Sequence, residues 1–451
     1  VIGMPAPAGL VHGMGKGLAL PDWSPLTSAE VHTVLARYPQ PGGRPQGPVP
    51  PPGAGVRPLG TGTASGVSGV PAGDEMITWR SPRPMSAAGL IRHGGADLFV
   101  KRHHARVRTL AQLAVEHAFI GHLRARGIPA PAVLRAADGA TATQYGDFVY
   151  EVHELASGLD LYRYALSWTP YASLGHARAA GAALARLHEA ADRFPLPARA
   201  PAVLTGGCEI IVSNDPLADI KRLAGRRPGL AGYLGGRACR DNLSRHVPPP
   251  IRGPAPLLAG LPRQWGHGDW HPSNLTWSAA GPDAVVAGVF DFGLANRTFA
   301  VHDLATALER ATVSWLDMTD PDGADPHGTD PDLPDPDLAE PGGAGAGRDD
   351  RDGAVPGRAE ADLDAIDAFL DGYESVRPLT PAEAAALPAV FPVVHVEYAL
   401  SEVEYFAGVV SSPANADLAY DGYLLGHAAW FDTPHGAAVL DHLRRRPPPP
   451  D

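Results

Sequence analysis

Asp269, Asn274 and Asp291 are the residues of this sequence with the clearest capacity for chemistry. They lie in one run: Trp265-Gly-His-Gly-Asp-Trp-His-Pro-Ser-Asn-Leu, a turn, Val-Phe-Asp-Phe-Gly-Leu-Ala, and His-Asp-Leu-Ala ending beyond Asp303. Asp269 precedes Asn274 by five positions, and Asp291 ends an apolar strand and starts Asp-Phe-Gly. A carboxylate at 269 can accept the proton of a substrate hydroxyl. The oxygens of Asn274 and Asp291 suit Mg²⁺ carried on nucleotide phosphates, because that ion takes one or two protein oxygens beside phosphate and water. Together they suit phosphoryl transfer, where positioning and charge neutralisation matter more than covalent chemistry.

The order and spacing are those of a kinase catalytic loop followed by its metal-binding segment. The form Gly-His-Gly-Asp-x4-Asn, with Gly268 where protein kinases have Arg, resembles the aminoglycoside phosphotransferase and choline kinase-like family. The resemblance covers roughly residues 75–316 with motifs in order, and more loosely the helices to about 440. It implies an α+β, protein-kinase-like bilobal fold: a small antiparallel sheet with one helix, a hinge, and a larger, mainly helical lobe. It also implies ATP and Mg²⁺ as cofactors and a small-molecule hydroxyl as acceptor. Acceptors in the family include aminoglycosides, choline, homoserine, methylthioribose and other sugars, plus a few proteins, and the motif residues do not distinguish them. Gly268 removes the Arg that reads a phosphorylated activation loop, and no Ala-Pro-Glu follows Asp-Phe-Gly. Activation by phosphorylation is therefore not expected, and a small acceptor is favoured over a protein. A protein Ser/Thr kinase of the same fold and a non-catalytic nucleotide-binding relative are the alternatives. The complete Asp/Asn/Asp/Lys set speaks against the second.

Other elements must bring these groups together. Ile77-Thr78-Trp79, Gly89 to Arg92 and Asp97 to Lys101 read as three short strands. The turn from Ser81 to Ala88 lies where kinases fold a loop over phosphates; it lacks Gly-x-Gly-x-x-Gly, and Ser81 and Ser86 are its candidate phosphate contacts. Lys101 is expected to meet the α- and β-phosphates and to pair with Glu116 on a helix running from Arg108 to Arg126. A solvated Lys and a surface Glu are the plainer readings. The resemblance implies that the strand Phe148–Leu155 becomes the hinge and that adenine pairs with its backbone, with Glu151, Val152, His153 and Glu154 as the candidates. His267 is expected beneath the site, bonded to the Asp-Phe-Gly backbone, and His271 beside the γ-phosphate; both are candidate catalytic residues. His188 reads as a hydrogen-bonded core histidine, and Asp303, near a helix start, as structural. Glu397, Glu402 and Glu404 are either a solvated helix face or contacts for a substrate's amines.

Composition bounds the rest. The chain has 451 residues with 52 Gly and 48 Pro, concentrated outside the motif-bearing part, which leaves roughly 340 residues for one two-lobed enzyme. Residues 1–73 read as a Pro/Gly-rich disordered tail apart from a short helical stretch at Leu26–Tyr38, with translation open to a later start at Met4 or Met14. Residues 74–154 form the expected small lobe and 155–445 the larger one, with a loop-rich part over 191–260. Residues 319–358 read as an acidic disordered insertion. From Asp320 to Asp352 there are eleven acidic residues and two Arg, most of the net charge of -12, so no nucleic-acid partner is indicated. No calcium-loop period is present there. Cys208 and Cys239 have no metal-ligand spacing and are expected as free thiols. With no apolar run of membrane length and no secretion signal in the first twenty residues, no membrane partner and a cytoplasmic location are expected. The acceptor, the choice of ATP or GTP and the oligomeric state stay open.

Overall fold

The computed structural model describes residues 10–12, 17–39, 76–235, 253–318 and 359–446. The expected acidic insertion lies outside the described residues, as do Met4, Met14, Cys239 and much of the Pro/Gly-rich tail. The alternating stretches around Lys101 form a five-stranded antiparallel sheet from β3 (Ile77–Arg80), β4 (Ala87–His93), β5 (Ala96–His104), β6 (Thr143–Tyr145) and β7 (Phe148–Glu154), in the order β3-β4-β5-β7-β6. Lys101 stands on the central strand, opposite Ala88 on one side and Glu151 on the other. Because side chains alternate along a strand, Lys101, His103, Glu151 and His153 share one face, while Leu98, Val100, Tyr150 and Val152 share the other. The polar face looks toward the cleft and the apolar face needs a cover.

That cover comes from the chain's beginning. Helix α1 (Ser28–Leu35) starts at a capping box between Thr27 and Glu30, and its Val31, Val34 and Leu35 are buried with Leu26 and Tyr38 against Ile91, Val100, Tyr150 and Val152. Glu30 also receives Arg102 Nη1 at 2.6 Å. The stretch Leu26–Tyr38, expected only as a short helix within a tail, is thus the outer layer of the small lobe. Before it, β1 (Val11–His12) and β2 (Leu18–Ala19) pair, and the His12 amide donates to the Pro82 carbonyl at 2.8 Å.

Helix α2 (Leu110–Arg124) begins at a second capping box, Thr109 with Gln112, and buries Phe119 against Trp265 and Phe292 of the larger lobe at ring separations of 5.1 and 6.0 Å. In that lobe α3 (Leu174–Ala191) crosses the helix Leu363–Glu374 at Gly181 and Gly372, where an added Cβ would lie 1.9 Å from the Phe369 or Arg178 carbonyl. Only glycine permits that approach. Two antiparallel pairs carry the motif loops: β8 (Arg263–Gly266) with β11 (Asn296–Phe299), and β9 (Leu275–Trp277) with β10 (Val286–Val289). The loops at 267–274 and 290–295 emerge side by side. Residues 191–260, expected to be loop-rich, include the short helices Pro216–Gly225, Pro228–Gly235 and Pro254–Leu258, each begun by a proline suited to a first turn. Among the described residues one helical run, Pro381–Val409, is long and apolar enough to cross a membrane; 72% of its most apolar window is buried in the core of the large lobe. The α+β, kinase-like architecture expected from the motifs is the one adopted.

Candidate active site

The catalytic loop is set by one buried carboxylate. Asp303 accepts from the amides of His267 and Gly268, each at 2.7 Å, and from His188 Nε2 at 3.0 Å; His188 Nδ1 meets Tyr373 Oη at 2.7 Å. Burial favours a protonated Asp303, but His188 and these amides outweigh it and hold its pKa at about 2. Asp303 and His188 therefore have the structural roles expected of them. Gly268 has φ +76°, and a Cβ there would meet the Leu294 carbonyl at 2.5 Å, so no larger residue fits. His267 packs on Phe292 and places Nε2 3.0 Å from the Phe290 carbonyl. It is wholly buried. His267 thus lies where it was expected, beneath the site and against the backbone that leads into Asp-Phe-Gly, and its ring lines neither cavity.

Asp269 faces the cleft. Its carboxylate pairs with Arg310 and lies 3.3 Å from His271 Nε2. Burial would raise its pKa, but Arg310 first and His271 next hold it far below the carboxylate range, so it stays ionised. Arg310 was not singled out from sequence; it is one arginine on a buried helix (Ala300–Thr312) with no motif around it. Asn274 directs Nδ2 to the Asp269 carbonyl at 2.8 Å and to His271 Nε2 at 3.1 Å. Its Oδ1 carries no hydrogen bond among the described residues.

Across the cleft, Lys101 Nζ lies 2.8 Å from Asp291 Oδ1. Burial opposes the Lys101 charge, but Asp291 and Glu151 overcome it and raise its pKa; Asp291 is lowered in turn, chiefly by Lys101. Asp291 has left-handed φ 59° and ψ 67°, a conformation costing ~1–3 kcal/mol for a non-glycine residue, held here by its surroundings. Arg108 and Arg199 supply that restraint, donating to the Gly293 carbonyl at 3.0 and 2.9 Å. The expected Lys101–Glu116 pair is replaced: Glu116 lies 3.5 Å from Arg199 Nη2, while Asp291 takes the ammonium. Glu116 lines the cavity near Lys101 without being its ion-pair partner.

Two cavities meet at these groups. One, of about 270 Å³, runs under the sheet to the hinge and is lined by Ser81, Ser86, Glu151, His153 and Glu154. Period-two alternation turns the Val152 side chain into the α1 core, which leaves only its backbone for the base, the kind of contact expected of this strand. Glu151 stands mid-strand opposite Lys101. Its carboxylate lies 2.9, 2.7 and 3.0 Å from the Nε2 atoms of His103, His117 and His153. The other cavity, of about 480 Å³, lies on the large-lobe side and is lined by Asp269, His271, Trp168, Tyr398, Glu402 and Tyr423, among others. Burial raises the Glu402 pKa to about 8, and its Oε2 is buried with no hydrogen-bond partner among the described residues. Glu397 and Glu404 instead receive the amides of Ile210 and Leu230 and do not line this cavity.

The profile of the phosphotransferase enzyme family matches residues 89–379. An uncharacterized protein of Deinococcus radiodurans is 28% identical over 312 residues, 68% of this chain and 71% of that one. The homoserine kinase of Phenylobacterium zucineum is 28% identical over 218 residues, 48% of this chain and 47% of its own length, so the match spans about half of that relative. Among solved structures, an aminoglycoside phosphotransferase from Alicyclobacillus acidocaldarius is similar over 85% of this chain and 97% of its own, at 18% identity and a TM-score of 0.43.

Proposed function

Because the chain belongs to the phosphotransferase enzyme family, whose members act on hydroxyl-bearing small molecules, we propose that it transfers the γ-phosphoryl group of Mg²⁺-ATP to a hydroxyl of a small, amine-bearing acceptor. One observation carries this reading: Lys101, Asn274 and Asp291 line both cavities, and Asp269 lies on the large-lobe side of that junction. The donor set fits magnesium. Asp291 commits Oδ1 to Lys101 and leaves Oδ2 free of hydrogen bonds among the described residues, and Asn274 leaves Oδ1. Both are hard oxygens of the kind that ion takes. Bound between them, the ion would neutralise phosphate charge.

The chain's own groups do the rest. Lys101 supplies a compact cation for the phosphates. Asp269, ionised and fixed by Arg310, accepts the acceptor hydroxyl's proton as a P–O bond to that oxygen forms and the bond to the β-phosphate bridging oxygen breaks. Glu402, with Trp168, Tyr398 and Tyr423 nearby, offers a carboxyl and aromatic faces suited to an ammonium group. Small amino alcohols, homoserine among them in view of the relative's name, and amino sugars share that chemistry. The test is a screen of such compounds with γ-labelled ATP; label appearing on none of them, and on a protein acceptor instead, would favour the protein-kinase alternative.

A further inference from the structure

Exactly which cation meets the migrating phosphoryl group is not answered by the motif residues. Five residues line both cavities: Ser86, Lys101, Asn274, Asp291 and Arg83. The first four were singled out by sequence; Arg83 was not. Arg83 therefore stands at the junction of the two cavities.

The other cations around the two cavities are already committed. Lys101 pairs with Asp291 at 2.8 Å, Arg163 with Asp160 at 3.4 Å, and Arg310 with Asp269. Arg108 donates to the carbonyls of Val203 at 2.8 Å and Gly293 at 3.0 Å. Arg83 differs: among the described residues its guanidinium makes a single hydrogen-bond contact, Nη1 to His12 Nδ1 at 3.4 Å, and no ion pair. Asp160, Asp269 and Asp291 all lie close enough to act on its charge, so its field is held at the junction without being spent on one carboxylate.

Its loop is also braced. The Ser81 amide donates to the Ala88 carbonyl at 2.8 Å and the Arg83 amide to Ser81 Oγ at 3.3 Å. From outside, the His12 amide holds the Pro82 carbonyl at 2.8 Å and the Asp22 amide the Pro84 carbonyl at 3.3 Å. The Asp22 carboxylate in turn accepts from Tyr405 Oη at 2.9 Å, tying this segment to the large lobe. A loop lacking the glycine pattern that lets backbone amides cradle phosphate is thus fixed to present a side-chain cation.

Resting on the nucleotide reading above, we propose that Arg83 grips the γ-phosphate of the bound nucleotide and stays with the phosphoryl group as it crosses to the acceptor, an arginine supplied by the enzyme's own loop. The planar guanidinium can hold two oxygens of that group through a fixed fork of parallel N–H donors, a geometry that the single ammonium nitrogen of Lys101 does not offer. The leaving oxygen stays with the diphosphate, the acceptor oxygen gains the phosphoryl group, and its proton goes to Asp269.

The test compares Mg²⁺-ATP and Mg²⁺-ADP binding by calorimetry in wild type, Arg83→Ala and Arg83→Lys, with thermal melts of each. The wild type is expected to prefer ATP over ADP. Arg83→Ala should lose about tenfold to a hundredfold in ATP affinity with ADP affinity nearly unchanged, and Arg83→Lys should recover part of the loss. If the alanine variant melts early, the lysine variant carries the comparison: an ATP-to-ADP ratio identical to wild type in a folded variant overturns the proposal. A wild type that binds neither nucleotide overturns the nucleotide reading as well, and one that binds both equally overturns only the role of Arg83.

Discussion

At the scale of single residues, Glu402 gives the sharpest pH signature. Its pKa near 8 leaves it mostly neutral at pH 7 and ionised above 8. For an amine-bearing acceptor, KM is expected to fall as pH rises from 6.5 to 9, while Glu402→Gln raises KM and flattens the profile. A wild-type KM that does not move across that range removes Glu402 from acceptor binding. The residues legible in the sequence were those whose spacing is fixed by one loop or strand: Asp269, Asn274, Asp291, and Lys101 at a strand end. Arg310 and Arg83 were illegible for a common reason. Each acts through a tertiary meeting, one from a buried helix and one from a loop of unremarkable composition, and no local spacing records that. The Lys101 partner was misassigned because a glutamate on the following helix and the aspartate of Asp-Phe-Gly are equally available to a one-dimensional reading; distance alone separates them.

At the scale of elements, helix α1 is the clearest departure from the sequence reading. Flanked by Pro/Gly-rich runs, its three apolar residues carry a helical period too short to announce a role. The sheet explains it: a face bearing Val100, Tyr150 and Val152 would otherwise meet water. Leu35, 1% exposed, should therefore behave as a core residue, and Leu35→Ala is expected to cost ~2–5 kcal/mol in denaturant unfolding. A change within ~0.5 kcal/mol, the usual range for surface sites, would mean that the helix is dispensable. The elements around Lys101 were more legible, since the short alternating strands of the small sheet are local patterns. The helix over residues 108–126 was expected and found at Leu110–Arg124.

At the scale of the whole molecule, buried carboxyls set how stability depends on pH. Burial raises Glu309 and Glu397 to about 7 and Glu402 to about 8, from an ordinary 4.5. These three acids therefore contribute stability that is lost as pH rises from about 4.5 through 8, while His302 and His395, lowered by burial to about 4, and His103, His267 and His427, lowered likewise, contribute the opposite trend up to about 6.5. Asp303, held at about 2, acts oppositely and loses its contribution as pH drops below about 4. Melting temperature should therefore decline from about pH 7 to 8.5, above the histidine range, and Glu309→Gln should lessen the slope; a melting temperature that rises over this range contradicts the burial of these acids. The two lobes, the loop pair and the cleft bring Asp269 to the large-lobe side of a junction lined by Lys101, Asn274 and Asp291, the side proposed for the acceptor. The most direct measurement of that convergence follows γ-labelled phosphate from ATP to an amino-alcohol and amino-sugar pool in wild type and Asp269→Asn, with ATP affinity determined on the same samples. Expected are labelled product from wild type, a rate lower by about 10²–10⁴-fold in the variant, and equal ATP affinity; equal product from both proteins would contradict the assignment of Asp269 and of the junction it serves.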